Sequence, residues 1–269
     1  MEKNEQKEWI QKNKSKWIAL GVGLTLLVLG IVLTVATRAG ALAENAGDGS
    51  KIPFALGLIM ILMGIVIPVA SARPEKKKTD VRTLAMAALF AALCYIGFSY
   101  CKIDIPVGME KTAFHLGNVF CVLAALFLGG LWGGMAGAVG MTIADLTTAY
   151  VTSAPKTFLL KLCIGLITGF VAHKVFKLSQ DKEERKVPLT VATVISCAAG
   201  MAFNMVADPL VGYFYKMYIL GVPQEAASIW AKIGAITTSV NAVVAVVAAT
   251  VLYMALRKAM KRSNLLPKL

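Results

Sequence analysis

Eight polar side chains stand out because each falls inside, or at the edge of, an otherwise apolar stretch: His115, Asn118, Asp145, Lys156, Lys161, Asn204, Asp208 and Asn241. Ionisable and amide groups are costly in apolar surroundings unless they are paired, so such positions are candidates for a cavity or a functional contact. Two lysines, two carboxylates, three carboxamides and an imidazole suit reversible capture of a small polar molecule by charge-assisted hydrogen bonds. They do not suit metal chemistry. The two histidines, His115 and His173, lie far apart, and the five cysteines contain no CxxC pair; they read as small packing residues. The chain carries no GxxxxGK[ST] phosphate loop, no HExxH, no GxSxG and no GxGxxG after a strand, so no enzymatic role and no cofactor are expected. Active transport, if the chain performs it, must draw on an ion gradient or on a partner's ATPase.

The elements that must hold these residues are membrane helices. Of 269 residues 57% are hydrophobic and only 16% charged, which is far from the composition of a soluble domain. Apolar segments fall at about 17 to 36, 52 to 70, 81 to 99, 114 to 129, 131 to 148, 154 to 173, 188 to 207 and 229 to 256. The expected fold is an all-α membrane protein of about eight transmembrane helices, since strands facing lipid would leave backbone groups unpaired. A net charge of +13 does not point to nucleic acid, because the basic residues sit between apolar runs rather than on one face. Five lie before residue 17, and five more in each of the connection around 73 to 82, the connection 174 to 186, and the tail from Arg257. With eight crossings all four regions share one side, which the positive-inside bias assigns to the cytoplasm, together with both termini. A cleavable leader ending near Ala41-Leu42-Ala43 is a competing reading of residues 1 to 43. The basic, proline-containing stretch 74 to 80 reads as a linker between a two-helix extension, residues 1 to 73, and a six-helix core, residues 81 to 269.

Depth supports the site reading. On this topology His115 and Asn118 open the fourth helix, Asp145 closes the fifth, Lys156 and Lys161 open the sixth, Asn204 and Asp208 close the seventh, and Asn241 lies mid-way along the eighth. All fall in the outer half, as a pocket open to the outside requires. The inner halves hold little beyond Thr168, Thr193 and Ser196, hydroxyls able to bond their own backbone. Individually, Lys156 and Lys161 read equally well as lysines snorkelling to the interface, and Asp145 and Asp208 as helix-end residues. Gly129, Gly133 and Gly137, and Gly165 with Gly169, recur every four residues and let helix backbones approach closely. Ala87 with Ala91 and Ala88 with Ala92 form a second small-residue pattern, a smooth strip for a partner helix inside or outside the chain.

From about Thr79 onward the chain resembles the S components, or substrate-binding subunits, of energy-coupling-factor (ECF) transporters. The resemblance rests on Arg82 before an alanine-rich helix, on Phe114-His115-Leu116-Gly117-Asn118 running into Leu126-Phe127-Leu128-Gly129, on the glycine-rich run to Asp145, and on Ala154-Pro155-Lys156-Thr157-Phe158 with Lys161 through Gly169. It implies a multi-pass protein of a bacterial cell membrane that binds a water-soluble vitamin or related micronutrient. It further implies docking through Ala87, Ala88, Ala91 and Ala92 onto a transmembrane coupling protein driven by two cytoplasmic ATPases. The extension 1 to 73 departs from the usual six helices. The rival readings are a non-transporting membrane sensor or assembly protein, and a secondary carrier, although no internal repeat is visible.

Overall fold

The computed structural model describes residues 81–107, 110–179, 187–263 and 265, together with Ile18 and most of 21–33. The chain divides into two compact units, one comprising Lys78–Phe214 and Pro223–Leu269, the other Met1–Lys77 and Tyr215–Val222. In the second of these the described residues are chiefly a short apolar helix, Gly21–Gly30, and the stretch Tyr215–Val222, where the fourth long helix ends. The candidate span 52 to 70, the linker 74 to 80 and the leader cleavage site lie outside the described residues.

The larger unit is built of five long helices: α1 (Val81–Ser99), α2 (Gly117–Thr147), α3 (Ala154–Phe170), α4 (Leu189–Tyr218) and α5 (Gln224–Arg262). Among the described residues five helical spans are long and apolar enough to cross a membrane, with α3 continuing as one π-type turn, Val171–Val175. The count of eight crossings is therefore not reached by the described residues. Part of the shortfall is local, because α2 contains two of the expected segments. At Gly129 the backbone turns to φ 80°, ψ 171°, a conformation that favours glycine, and the chain reverses.

The reversal makes a helical hairpin that glycine keeps tight. A Cβ at Gly133 would overlap the backbone of Ala125, and one at Gly137 would overlap the Cys121 sulfur, so the passes 117–128 and 130–147 run antiparallel in near-backbone contact. Gly165 and Gly169 of α3 meet Gly134 and Gly130 in the same way, Gly140 sits against the Ala91 carbonyl of α1, and Gly200 of α4 sits on Thr168 and Ile164 of α3. Small residues serve here because burial from water does not drive helices together in lipid; association rests on close fit. Around this seam pack Phe90, Phe127 and Tyr253, with the Phe127 and Tyr253 rings 4.8 Å apart.

Two expectations change. The apolar segment 114 to 129 implies a helix opened by His115, but the helix begins at Gly117 and the residues before it form an antiparallel hairpin of β1 (Lys102–Val107) and β2 (Glu110–His115), pairing Lys102 with His115 and Val107 with Glu110. The fold is thus helical with one added β-ribbon, and His115 ends a strand instead of opening a helix. In addition, α4 runs eleven residues past its expected end, straight through Pro209, so Asn204 and Asp208 lie within the helix. A proline inside a helix has no N–H for the carbonyl four residues earlier, a loss the surrounding helices tolerate.

The glycine seam yields a direct test. Gly165→Leu must push against the Gly134 backbone, which cannot yield, whereas an added Cβ at Gly234 meets nothing within 4 Å. Thermal unfolding of the purified protein is expected to show a loss of roughly 1–3 kcal/mol or more for G165L and none for Gly234→Ala.

Candidate functional site

Helices α2 to α5 each bring polar groups to the end of the bundle that carries the β-hairpin. The first pass of α2 supplies Asn118, at 1% exposure, and the second Asp145, at 2%. Lys156, Thr157 and Lys161 come from the opening turns of α3, where Pro155 in the first turn needs no hydrogen-bond partner for its nitrogen. Asn204 and Asp208 stand one turn apart on α4, and Thr238 and Asn241 nearly so on α5. The spacing on α4 continues the Gly200 contact with α3, so the same helix face that packs tightly at one end presents its amide and carboxylate at the other.

The contacts are specific. Lys161 Nζ donates to Asn118 Oδ1 at 2.9 Å, both groups being buried, and the Cys121 thiol reaches the Lys161 carbonyl at 3.7 Å. Lys156 Nζ meets Asp208 Oδ1 at 2.7 Å, and the other oxygen, Oδ2, accepts from Thr238 Oγ1 at 2.9 Å. Asp145 bonds the Thr157 hydroxyl and lies within electrostatic reach of Lys156, Lys161 and Asp208. One ion pair, Lys156–Asp208, thus stands beside a lysine met by an amide and a carboxylate met by a hydroxyl, so that two lysines and two aspartates share one region.

The hairpin closes one side of the cluster. His115 packs edge-on against Phe98, ring centroids 4.7 Å apart, and Phe98 packs likewise on Tyr150 at 5.4 Å. Lys102 lies 4.9 Å from the Tyr150 ring centroid and pairs with Asp104 at 3.3 Å, while Tyr150 Oη donates to Asp104 Oδ1 at 2.9 Å. Burial, with Lys161 nearby, pushes the His115 imidazole down to about 3, so the ring is neutral at physiological pH.

Three polar atoms in this region are buried and lack a hydrogen-bond partner among the described residues: Asp145 Oδ2, Asn204 Oδ1 and His115 Nδ1. Native proteins seldom leave such atoms alone, and each loses the free energy that water or a ligand would supply. Asn241 differs from its companions, since both ends of its amide are taken up by the β2 backbone at Ala113 and His115. Thr157, Thr238, Tyr150 and Phe98 were not picked out from the sequence. Hydroxyls and aromatic rings carry no distinctive signal in a membrane helix, although Thr157 adjoins Lys156 and Thr238 stands three residues from Asn241.

At the opposite end the hydroxyls of Thr193 and Ser196 donate to carbonyls of their own helix, at 2.8 and 2.7 Å, whereas the buried Thr168 hydroxyl has no hydrogen-bond partner among the described residues. His173 is held between Ser179 Oγ and the Ala125 carbonyl, at 2.7 and 3.2 Å, and so ties the π-type turn to α2. The alanine pattern of α1 divides between two faces. Ala87 is buried and Ala91 sits on Gly140, while Ala88 and Ala92 are exposed.

Multiple apolar helices long enough to cross a bilayer define a multi-pass membrane protein. Its family follows from the sequence profile of the ECF-type riboflavin transporter, S component, which matches residues 78–258, about two thirds of the chain. The chain belongs to this family, which consists of transporter components and is not a family of enzymes. No curated protein and no solved structure matched the chain.

The Lys156–Asp208 pair supplies the test of the cluster. The pair is partly buried; removing one partner leaves the other charge poorly solvated, whereas replacing both by apolar groups costs less. Asp208→Leu alone is expected to lower the unfolding free energy by about 2 kcal/mol and Lys156→Met by a similar amount; the double variant should lose clearly less than the sum, as read by thermal unfolding in one detergent.

Proposed function

We propose that this chain is the substrate-binding membrane subunit of an ECF importer, and that its ligand is an uncharged vitamin of the flavin type held in the Asn118–Lys161–Asp145–Asn204 region. The observation that carries the reading is the convergence of four helices on one polar cluster with three buried atoms still lacking partners. Two of those atoms are acceptor oxygens, which suit a ligand rich in hydroxyl and imide donors. The cluster's charges already balance, so a ligand bringing a phosphate would add unpaired charge to an apolar enclosure. The family's own name, a riboflavin transporter, points to the same chemistry. His115, Lys156 and Asp208 frame the site, and Phe98 and Tyr150 offer aromatic faces on the hairpin side.

The hairpin end is read as the external one because Arg82, Lys174, Lys177, Arg257, Lys258, Lys261 and Arg262 gather at the other. On the expected topology both termini are then cytoplasmic; most of the extension 1 to 73 lies outside the described residues. The exposed Ala88 and Ala92 form a face without side-chain relief, suited to close packing against a coupling protein whose two ATPases supply the energy.

Native Cys101 is exposed at the hairpin end, whereas the other four cysteines are buried. In intact cells an impermeant maleimide is expected to label the protein, and Cys101→Ser to abolish the labelling; protection of Cys101 until the membrane is opened would reverse the orientation.

Ligand capture is tested by titrating riboflavin against the purified full-length protein. Lys161→Ala and Asn118→Ala are each expected to weaken binding about tenfold or more, since a charge-assisted hydrogen bond is worth roughly 1.5–3 kcal/mol. Ala88→Trp with Ala92→Trp should leave that binding intact yet abolish uptake when the coupling module is present. Absence of riboflavin binding by the native protein would remove the flavin, and a screen of other water-soluble vitamins would follow.

A further inference from the structure

The amide of Asn241 is engaged at both ends by a single partner. Its Oδ1 accepts the backbone N–H of His115 at 3.0 Å, and its Nδ2 donates to the carbonyl of Ala113 at 3.0 Å. Residues two apart on a strand point these groups in one direction, so the side chain occupies the place that a further strand would take along the free edge of β2. An edge left open in an apolar setting would carry unpaired backbone groups. Asn241 is 6% exposed, sits deep within α5, and lies more than 120 residues away in sequence from the strand it holds.

What the strand carries gives this contact its meaning. His115, the residue whose N–H is held, has its own buried Nδ1 unpartnered and lies within electrostatic reach of Lys161 and Asp208. The far strand is fastened separately, by Tyr150 Oη to Asp104 at 2.9 Å. We propose that Asn241 is a positioning residue: it latches the β-hairpin to α5, and so sets His115 and the hairpin over the polar cluster, rather than touching the ligand itself. The kinetic part of this proposal rests on the ligand reading above; the structural part does not.

Hydrogen–deuterium exchange on the full-length protein without ligand tests the latch directly. In the native protein the His115 amide is expected to exchange as slowly as amides in the middle of α2. In Asn241→Leu, which replaces the amide by an apolar group of similar size, the strands Lys102–Val107 and Glu110–His115 should exchange at least tenfold faster while α2 and α3 stay unchanged. Asn241→Ala serves as the second variant. Fast exchange of His115 in the native protein, or unaltered hairpin exchange in the variants, would overturn the proposal. With riboflavin as the probe, the same variants should raise the dissociation rate about tenfold and alter the association rate less. Weaker binding with unaltered hairpin exchange would instead make Asn241 a ligand contact and defeat the latch. If native protein fails to bind riboflavin, the flavin reading fails and the exchange measurement still decides the role of Asn241.

Discussion

A lysine ammonium buried among membrane helices is tolerable only if another polar group meets it, and much of this architecture answers that requirement. Lys161 lies at 7% exposure in α3 and finds Asn118 on the first pass of α2. The two side chains reach one another because α2 and α3 approach to within backbone contact at Gly130–Gly169 and Gly134–Gly165. A bulkier seam would hold the helices further apart, and the amide would fall short of the ammonium. Close packing at one end and pairing of charge at the other are thus a single geometric condition, set by where glycine occurs.

The same logic orders the remaining charges. Asp208 answers Lys156 with one oxygen and Thr238 with the other, which links α3, α4 and α5 through one carboxylate. Each pair restrains helix register more than it adds stability, since removing charges from water offsets much of what their attraction returns. Asp145, Asn204 and His115 each keep one buried atom without a hydrogen-bond partner among the described residues, and all three stand toward the hairpin end.

Much of this could be read from residue types, and what could not has identifiable causes. Membrane helices announce themselves by uninterrupted apolar length, so α1 and α3 emerged with nearly their observed limits. Asn118, Asp145, Lys161 and Asn204 were conspicuous because polar groups are rare at such depth. The C-terminal end of α4 was missed because Asp208-Pro209 imitates a turn, and only neighbouring helices make a proline tolerable there. The β-hairpin escaped because its strands are short and its edge is completed by a side chain 126 residues away. For the same reason the contacts of Asn241 were not legible: sequence shows that an amide is buried, not what occupies its two ends. The split of the alanine pattern between an inward and an outward face likewise depends on Gly140, a partner invisible from α1 alone.

The reversal at Gly129 sets the vertical economy of the site. From Gly117 to Leu128 the first pass of α2 rises only about 18 Å, against roughly 30 Å of hydrocarbon in a bilayer. A helix facing lipid would pay for that mismatch by tilting or by thinning the membrane. This pass is buried at every position except the half-covered Phe120, so it meets almost no lipid and can stop short. It acts as a central pedestal, with Asn118 near its top. The Lys156–Asp208 pair and the β-ribbon lie toward that same end. The bundle is thus built around one interior helix too short to cross, with polar groups gathered at its upper end.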